Sequence, residues 1–168
     1  MHLSPRVNLL LAILLGALAC VLFWVLRPAD EDAPEKAYFY DIEEHRLFAA
    51  HRTLIPPIPG VKGRPDAAVR AIVISTTGDP KDESHRQIAY LEKYSPEMKR
   101  LLEEVRKARS DGRQPAGVVD RSAASANTWV RRLNDQEWVS LSSTEGERIT
   151  SEWNRPGPDG KSPVVCSP

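Results

Sequence analysis

The sequence predicts an α+β protein: an N-terminal transmembrane helix followed by a small domain with a mixed or antiparallel sheet covered by helices. Three observations carry this expectation. Residues Leu9 to Leu26 read LLLAILLGALACVLFWVL and include no charged side chain. As a helix such a run rises about 27 Å, close to the hydrocarbon thickness of a bilayer, where only a helix satisfies its own backbone groups. Further on, two pairs of short β-prone runs surround Ile72-Val73-Ile74, which is apolar on both faces and reads as a central strand. Between them Met98, Leu101, Leu102 and Val105 recur at helical spacing. Hairpins favour an antiparallel or mixed sheet, and the helices then cover it.

Residues 1–8 form a short flank with Arg6, and residues 9–26 form the membrane segment. Trp24 and Arg27 suit the interface and the headgroups. A cleaved signal peptide competes, since Ala17-Leu18-Ala19 matches a small-x-small site, but Val21 to Leu26 stay apolar beyond it. An acylated Cys20 fits less well, because Ala17 stands where lipoprotein signals carry leucine. A pilin-type leader lacks its glutamate. The reading adopted is an uncleaved signal-anchor: a single-pass cell-membrane protein, N-terminus cytoplasmic, C-terminal domain extracytoplasmic (periplasmic in a Gram-negative cell).

Residues 27–36 make an acidic, Pro-containing linker. The folded part is expected over 37–153. Ala37 to Tyr40 and Arg46 to Ala49 read as a β-hairpin. Thr53 to Pro65, with Pro56, Pro57 and Pro59, reads as a loop, because proline lacks the donor that strands and helix interiors need. Ala68 to Ser75 is the best strand, closed by turn chemistry at Thr77 to Pro80. A helix is expected from Asp82 to Tyr94, with Ile88, Leu91 and Tyr94 on one side. Ser95-Pro96-Glu97 caps a second helix to Arg109. Its apolar stripe should cover Ile72 to Ile74, with Leu101 in the core and Arg106 at the surface.

Ser110 to Ala126 reads as a mobile loop. Thr128 to Leu133 and Glu137 to Leu141 read as a second hairpin. Ser142 with Glu145 fits a capping box for a last helix ending at Trp153. Residues 154–168 form a Pro-rich tail expected to be irregular.

Composition narrows the function classes. The 168 residues carry 23 basic and 23 acidic side chains, so no global charge points to nucleic acid. Two cysteines, Cys20 and Cys166, lie too far apart in role to form a disulfide scaffold or a cysteine metal site. HExxH, GxSxG and Gly-rich phosphate loops are missing. His2, His45, His51 and His85 match no metal spacing, so no catalytic, cofactor or metal residues are assigned. The basic group Arg106, Lys107, Arg109 and Arg113 complements a helix C-terminus, or meets an acidic partner or lipid headgroups, and Asp41 to Glu44 could pair with it across the surface.

The runs Ala37-Tyr38-Phe39-Tyr40-Asp41, Leu47-Phe48, Ile55-Pro56-Pro57-Ile58, Val69-Arg70-Ala71, Ile88 to Glu97 (IAYLEKYSPE) and Glu137-Trp138-Val139 resemble a family of short, uncharacterised bacterial single-pass membrane-anchored proteins. The resemblance implies topology and compartment, and no activity. Members carry cysteines near the positions of Thr76 to Asp79, where this chain has none. The expected function is a non-catalytic membrane-anchored interaction or accessory domain with a protein partner. The alternative is a small-ligand-binding or hydrolytic domain using the loop after the central strand, with Asp79, His85 and His51.

Overall fold

The computed structural model describes residues 35–114, 119–157 and 160–168. The apolar run Leu9 to Leu26 lies outside them. Among the described residues no helix is long and apolar enough to cross a membrane. The described part is a small α+β domain with an antiparallel sheet and helices.

The chain enters the sheet as a hairpin, β1 (Lys36–Asp41) and β2 (Arg46–His51), paired in register from Lys36↔His51 to Asp41↔Arg46. Asp41 fixes its turn. Its buried carboxylate accepts the backbone N–H groups of Glu43 (3.0 Å), Glu44 (3.1 Å) and, across the loop, Val61 (2.8 Å). These bonds hold the Asp41 carboxyl below its ordinary range, the Glu44 amide most of all. Gly60 must stay small here, since a Cβ would run into Asp41 Oδ2. The acidic run is therefore spent locally: Glu43 pairs with Arg64 and Glu44 with Lys62, not with the basic end of the long helix.

β3 (Ala68–Ser75) is central, as its two apolar faces require. One edge is shared. β1 pairs with Ala68 to Arg70, and a C-terminal strand, β7 (Val164–Val165), pairs with Ile74 and Ser75. The tail is thus not irregular throughout: it adds a strand and buries Cys166, whose N–H donates to Val73 O at 2.8 Å. Val69, Ala71 and Val73 lie on one face with Tyr40, Leu91 and Cys166. Phe39 and Ala68 form the second core with Ile58.

The largest departure from the sequence expectation follows β3. Residues 82–94 are not a helix. One 3-10 turn, Glu83–His85, leads into β4 (Arg86–Tyr94). Its pairing with β3 shifts between Ile72 and Val73: Tyr90 faces Ile72 while Ile88 faces Val73. Ala89 is the extra residue of a β-bulge. The bulge restores Ile88 and Leu91, three residues apart, to the same face, so a strand imitates helical spacing.

Ser95 caps α1 (Pro96–Ser110), accepting from Met98 N at 3.2 Å. Met98 and Ala108 are its buried residues, while Leu101 is 36% exposed. The stripe does not sit with Leu101 in the core as expected. Lys99 ties this helix to Pro57 O and Asp66, both at 2.7 Å. Within the expected loop 110–126 a short helix forms, α2 (Arg121–Ala126). β5 (Thr128–Arg131) and β6 (Val139–Ser140) make the second hairpin, shorter than its apolar runs suggested. The sheet order is β2-β1-β3-β4-β5-β6, with β7 beside β3.

The last helix, α3 (Thr144–Glu152), is capped by Ser143, one residue beyond the expected Ser142. Glu145 is left free to bind Arg148 and Arg132. Arg132 also grips Glu152 through two nitrogens, and this bidentate pair fastens α3 to the end of β5.

Candidate functional site

The loop after β3 is the first place to look, because strand ends host ligands in many sheets. Asp79 does not approach His85. It turns back to accept Lys81 N–H at 2.9 Å, an ordinary Asx turn. His85 instead meets Asp82 Oδ2 (2.8 Å) and Ser84 Oγ (2.9 Å). A serine nucleophile needs its base on one imidazole nitrogen and the orienting carboxylate on the other. Here both partners lie on Nδ1 and compete for it. Ser84 Oγ also donates to Asp82 Oδ1 at 2.6 Å, and Asp82 accepts Ser84 N–H as cap of the 3-10 turn. The Ser84 hydroxyl, then Thr77 and His85, hold the Asp82 carboxyl down to about 2. The cluster has the bonding of a helix cap.

His51 belongs elsewhere. Its Nδ1 meets Thr53 Oγ1 at 2.7 Å and its Nε2 lies 3.8 Å from Glu35. His45 takes φ +49° at the hairpin turn and meets the Tyr40 hydroxyl at 3.3 Å. Among the described residues no three His, Cys, Asp or Glu side chains converge to hold a metal.

A second polar cluster lies where β4 meets β5. The Lys93 ammonium sits 5.2 Å from the Trp129 ring and 4.4 Å from the Trp138 ring, and Arg131 stacks on Trp138 at 4.8 Å. Burial, with help from Arg131, pushes the Lys93 amine below its usual value. These cations already occupy the indole faces, and the contacts join β4, β5 and the loop before β6.

The third is a cavity of about 310 Å³ with four arginines on its wall: Arg52, Arg70, Arg106 and Arg109. Tyr94 and Leu102 add apolar surface. Arg70 comes from the middle of β3. It donates to Arg52 O (2.8 Å) and Leu54 O (3.1 Å) and lies 5.7 Å from the Phe39 ring. Its Nε is buried with no acceptor. Arg106 of α1 is at the surface, as expected, and donates to Thr53 O at 3.1 Å. Arg52 and Arg109 are exposed and make no side-chain hydrogen bond or ion pair among the described residues. None of the four guanidinium groups is salt-bridged there.

No known protein family matches this chain, and neither does any curated protein or solved structure.

Carboxylates lie on the neighbouring segments. Glu35 faces His51. Glu92 stands opposite Arg70 in the β3–β4 ladder, half-buried and without a hydrogen bond among the described residues. Burial pushes its carboxyl up, and Arg70 only partly offsets that. The cavity therefore concentrates positive charge that is not neutralised by direct pairing among the described residues. The C-terminal dipole of α1 accounts for part of the attraction to Arg106 and Arg109, but not for Arg52 or Arg70, which lie on other segments.

Sequence reasoning singled out Arg106 and Arg109 and missed Arg52 and Arg70. The available signal was Arg70 itself, the one charged residue within an otherwise apolar strand.

Proposed function

We propose that this chain is a non-catalytic accessory domain held at the cell membrane by the single-pass segment Leu9 to Leu26, with the folded part outside the cytoplasm. It acts by binding. The observation that best supports this is the cavity ringed by Arg52, Arg70, Arg106 and Arg109 without an ion pair among the described residues. Guanidinium groups grouped around a hollow, with apolar walls beside them, recognise anions. The partner is thus expected to present acidic or phosphate groups. The alternative, a hydrolytic or ligand-binding loop built on Asp79 and His85, has less support, because the two side chains bond to different partners.

Protease treatment of intact spheroplasts tests the placement. The reading expects the folded part to be digested without lysis. Digestion only after lysis would reverse the orientation. Cys166 is only 5% exposed, so a protease is a better probe here than a thiol reagent.

A further inference from the structure

We infer that the four-arginine cavity is an oxyanion site that takes a phosphate group, with the headgroup of an anionic phospholipid as its natural source. The first argument is chemical. Arg52 and Arg109 are exposed residues of the cavity lining whose side chains make no hydrogen bond or ion pair among the described residues, and Arg70 keeps a buried Nε–H with no acceptor there. A planar fork matches the paired oxygens of a phosphate. Arg70 and Arg106 are themselves fixed by carbonyls of residues 52–54, so half of the donor set is positioned in advance. Tyr94 and Leu102 supply an apolar wall suited to the glycerol part of a headgroup.

The second argument is positional, and it rests on the membrane tether proposed above. The chain reaches the domain beside this cavity: Arg52 N–H donates to Glu35 O at 3.0 Å. Eight residues, 27–34, separate Glu35 from the end of the apolar run. Fully extended they span about 30 Å. On that reading, a tether of at most this reach raises the effective concentration of lipid phosphate that the folded part meets.

The test uses the full chain in phosphatidylcholine nanodiscs, with thermal unfolding as the readout. One arm adds soluble glycerol 3-phosphate. A second replaces part of the lipid with phosphatidylglycerol. The expected result is a rise of several degrees in the unfolding midpoint with phosphatidylglycerol, since a ligand of the folded state stabilises it. In Arg52→Gln/Arg109→Gln the apparent affinity should fall by about tenfold or more. Among the described residues the side chains of that pair make no hydrogen bonds to lose. Arg121→Gln/Arg155→Gln removes equal charge away from the cavity and should behave as the wild type.

A shift with glycerol 3-phosphate alone would support the oxyanion site and assign it to a soluble phosphate. No shift in either arm would overturn the proposal. So would an equal shift in the Arg52→Gln/Arg109→Gln chain, or a response to triglutamate but not to the phosphates. Failure of the tether shows separately, as release of the chain from membranes by alkaline carbonate. The glycerol 3-phosphate arm still reads the cavity in that case.

Discussion

Glu92 and Arg70 show how one cross-strand pair sets a pH response. The Glu92 carboxyl titrates above its ordinary value, because burial disfavours its charge more than Arg70 favours it. A carboxyl raised in the folded state binds its proton more tightly there than in the unfolded chain. Its contribution to stability is present below the unfolded value and is lost as pH rises through the folded one. Glu92→Gln removes that loss. At pH 7 the variant should unfold at a higher temperature than the wild type, and the gap should close toward pH 4. Thermal unfolding across this range checks it, and a variant less stable at pH 7 would mean the attraction to Arg70 dominates. Asp41 has the opposite sign: its lowered carboxyl contributes stability above the ordinary range that fades as pH falls through the folded value. Nothing in the run Asp41 to Glu44 distinguishes the residue that accepts three amides from those that pair at the surface. That difference is created by the approach of Val61, a loop away in sequence.

At the scale of elements, β3 and both hairpins were legible because their apolar runs and turn residues agree. α1 was legible from its cap, with Ser95 accepting from Met98 N and Pro96 at the first turn. β4 was not. Its bulge at Ala89 gives Ile88 and Leu91 a three-residue spacing on one face, and periodicity alone reads that as a helix. The tail was misread for another reason: Val164 and Val165 form a strand only because β1 leaves the rest of the β3 edge open. The β4 assignment and the place of α1 can be tested together. Leu91 is fully buried in the sheet core, and Leu91→Ala should cost about 2–5 kcal/mol. Leu101 is 36% exposed on α1, and Leu101→Ala should cost at most about 1 kcal/mol. Chemical denaturation measures both. Equal losses would place Leu101 in a core that the fold does not give it.

For the molecule as a whole, the candidate site was mostly illegible. Its four arginines come from the end of the first hairpin, the central strand and two turns of α1, and no local motif links them. Arg106 and Arg109 stand out in sequence as a basic helix end and Arg70 as a charge in an apolar strand, but nothing local shows that the fold brings them to one hollow with Arg52. The proposed membrane segment is the reverse case: it is an expectation from the local composition of Leu9 to Leu26 alone, which needs no fold. The reading of the whole protein depends on that segment being kept, since a released domain has no reason to meet headgroups at close range. Amino-terminal sequencing of the mature protein recovered from carbonate-washed membranes tests this most directly. The account predicts a terminus ahead of Leu9, with the apolar run retained. A mature terminus at Cys20 or Val21 would contradict it.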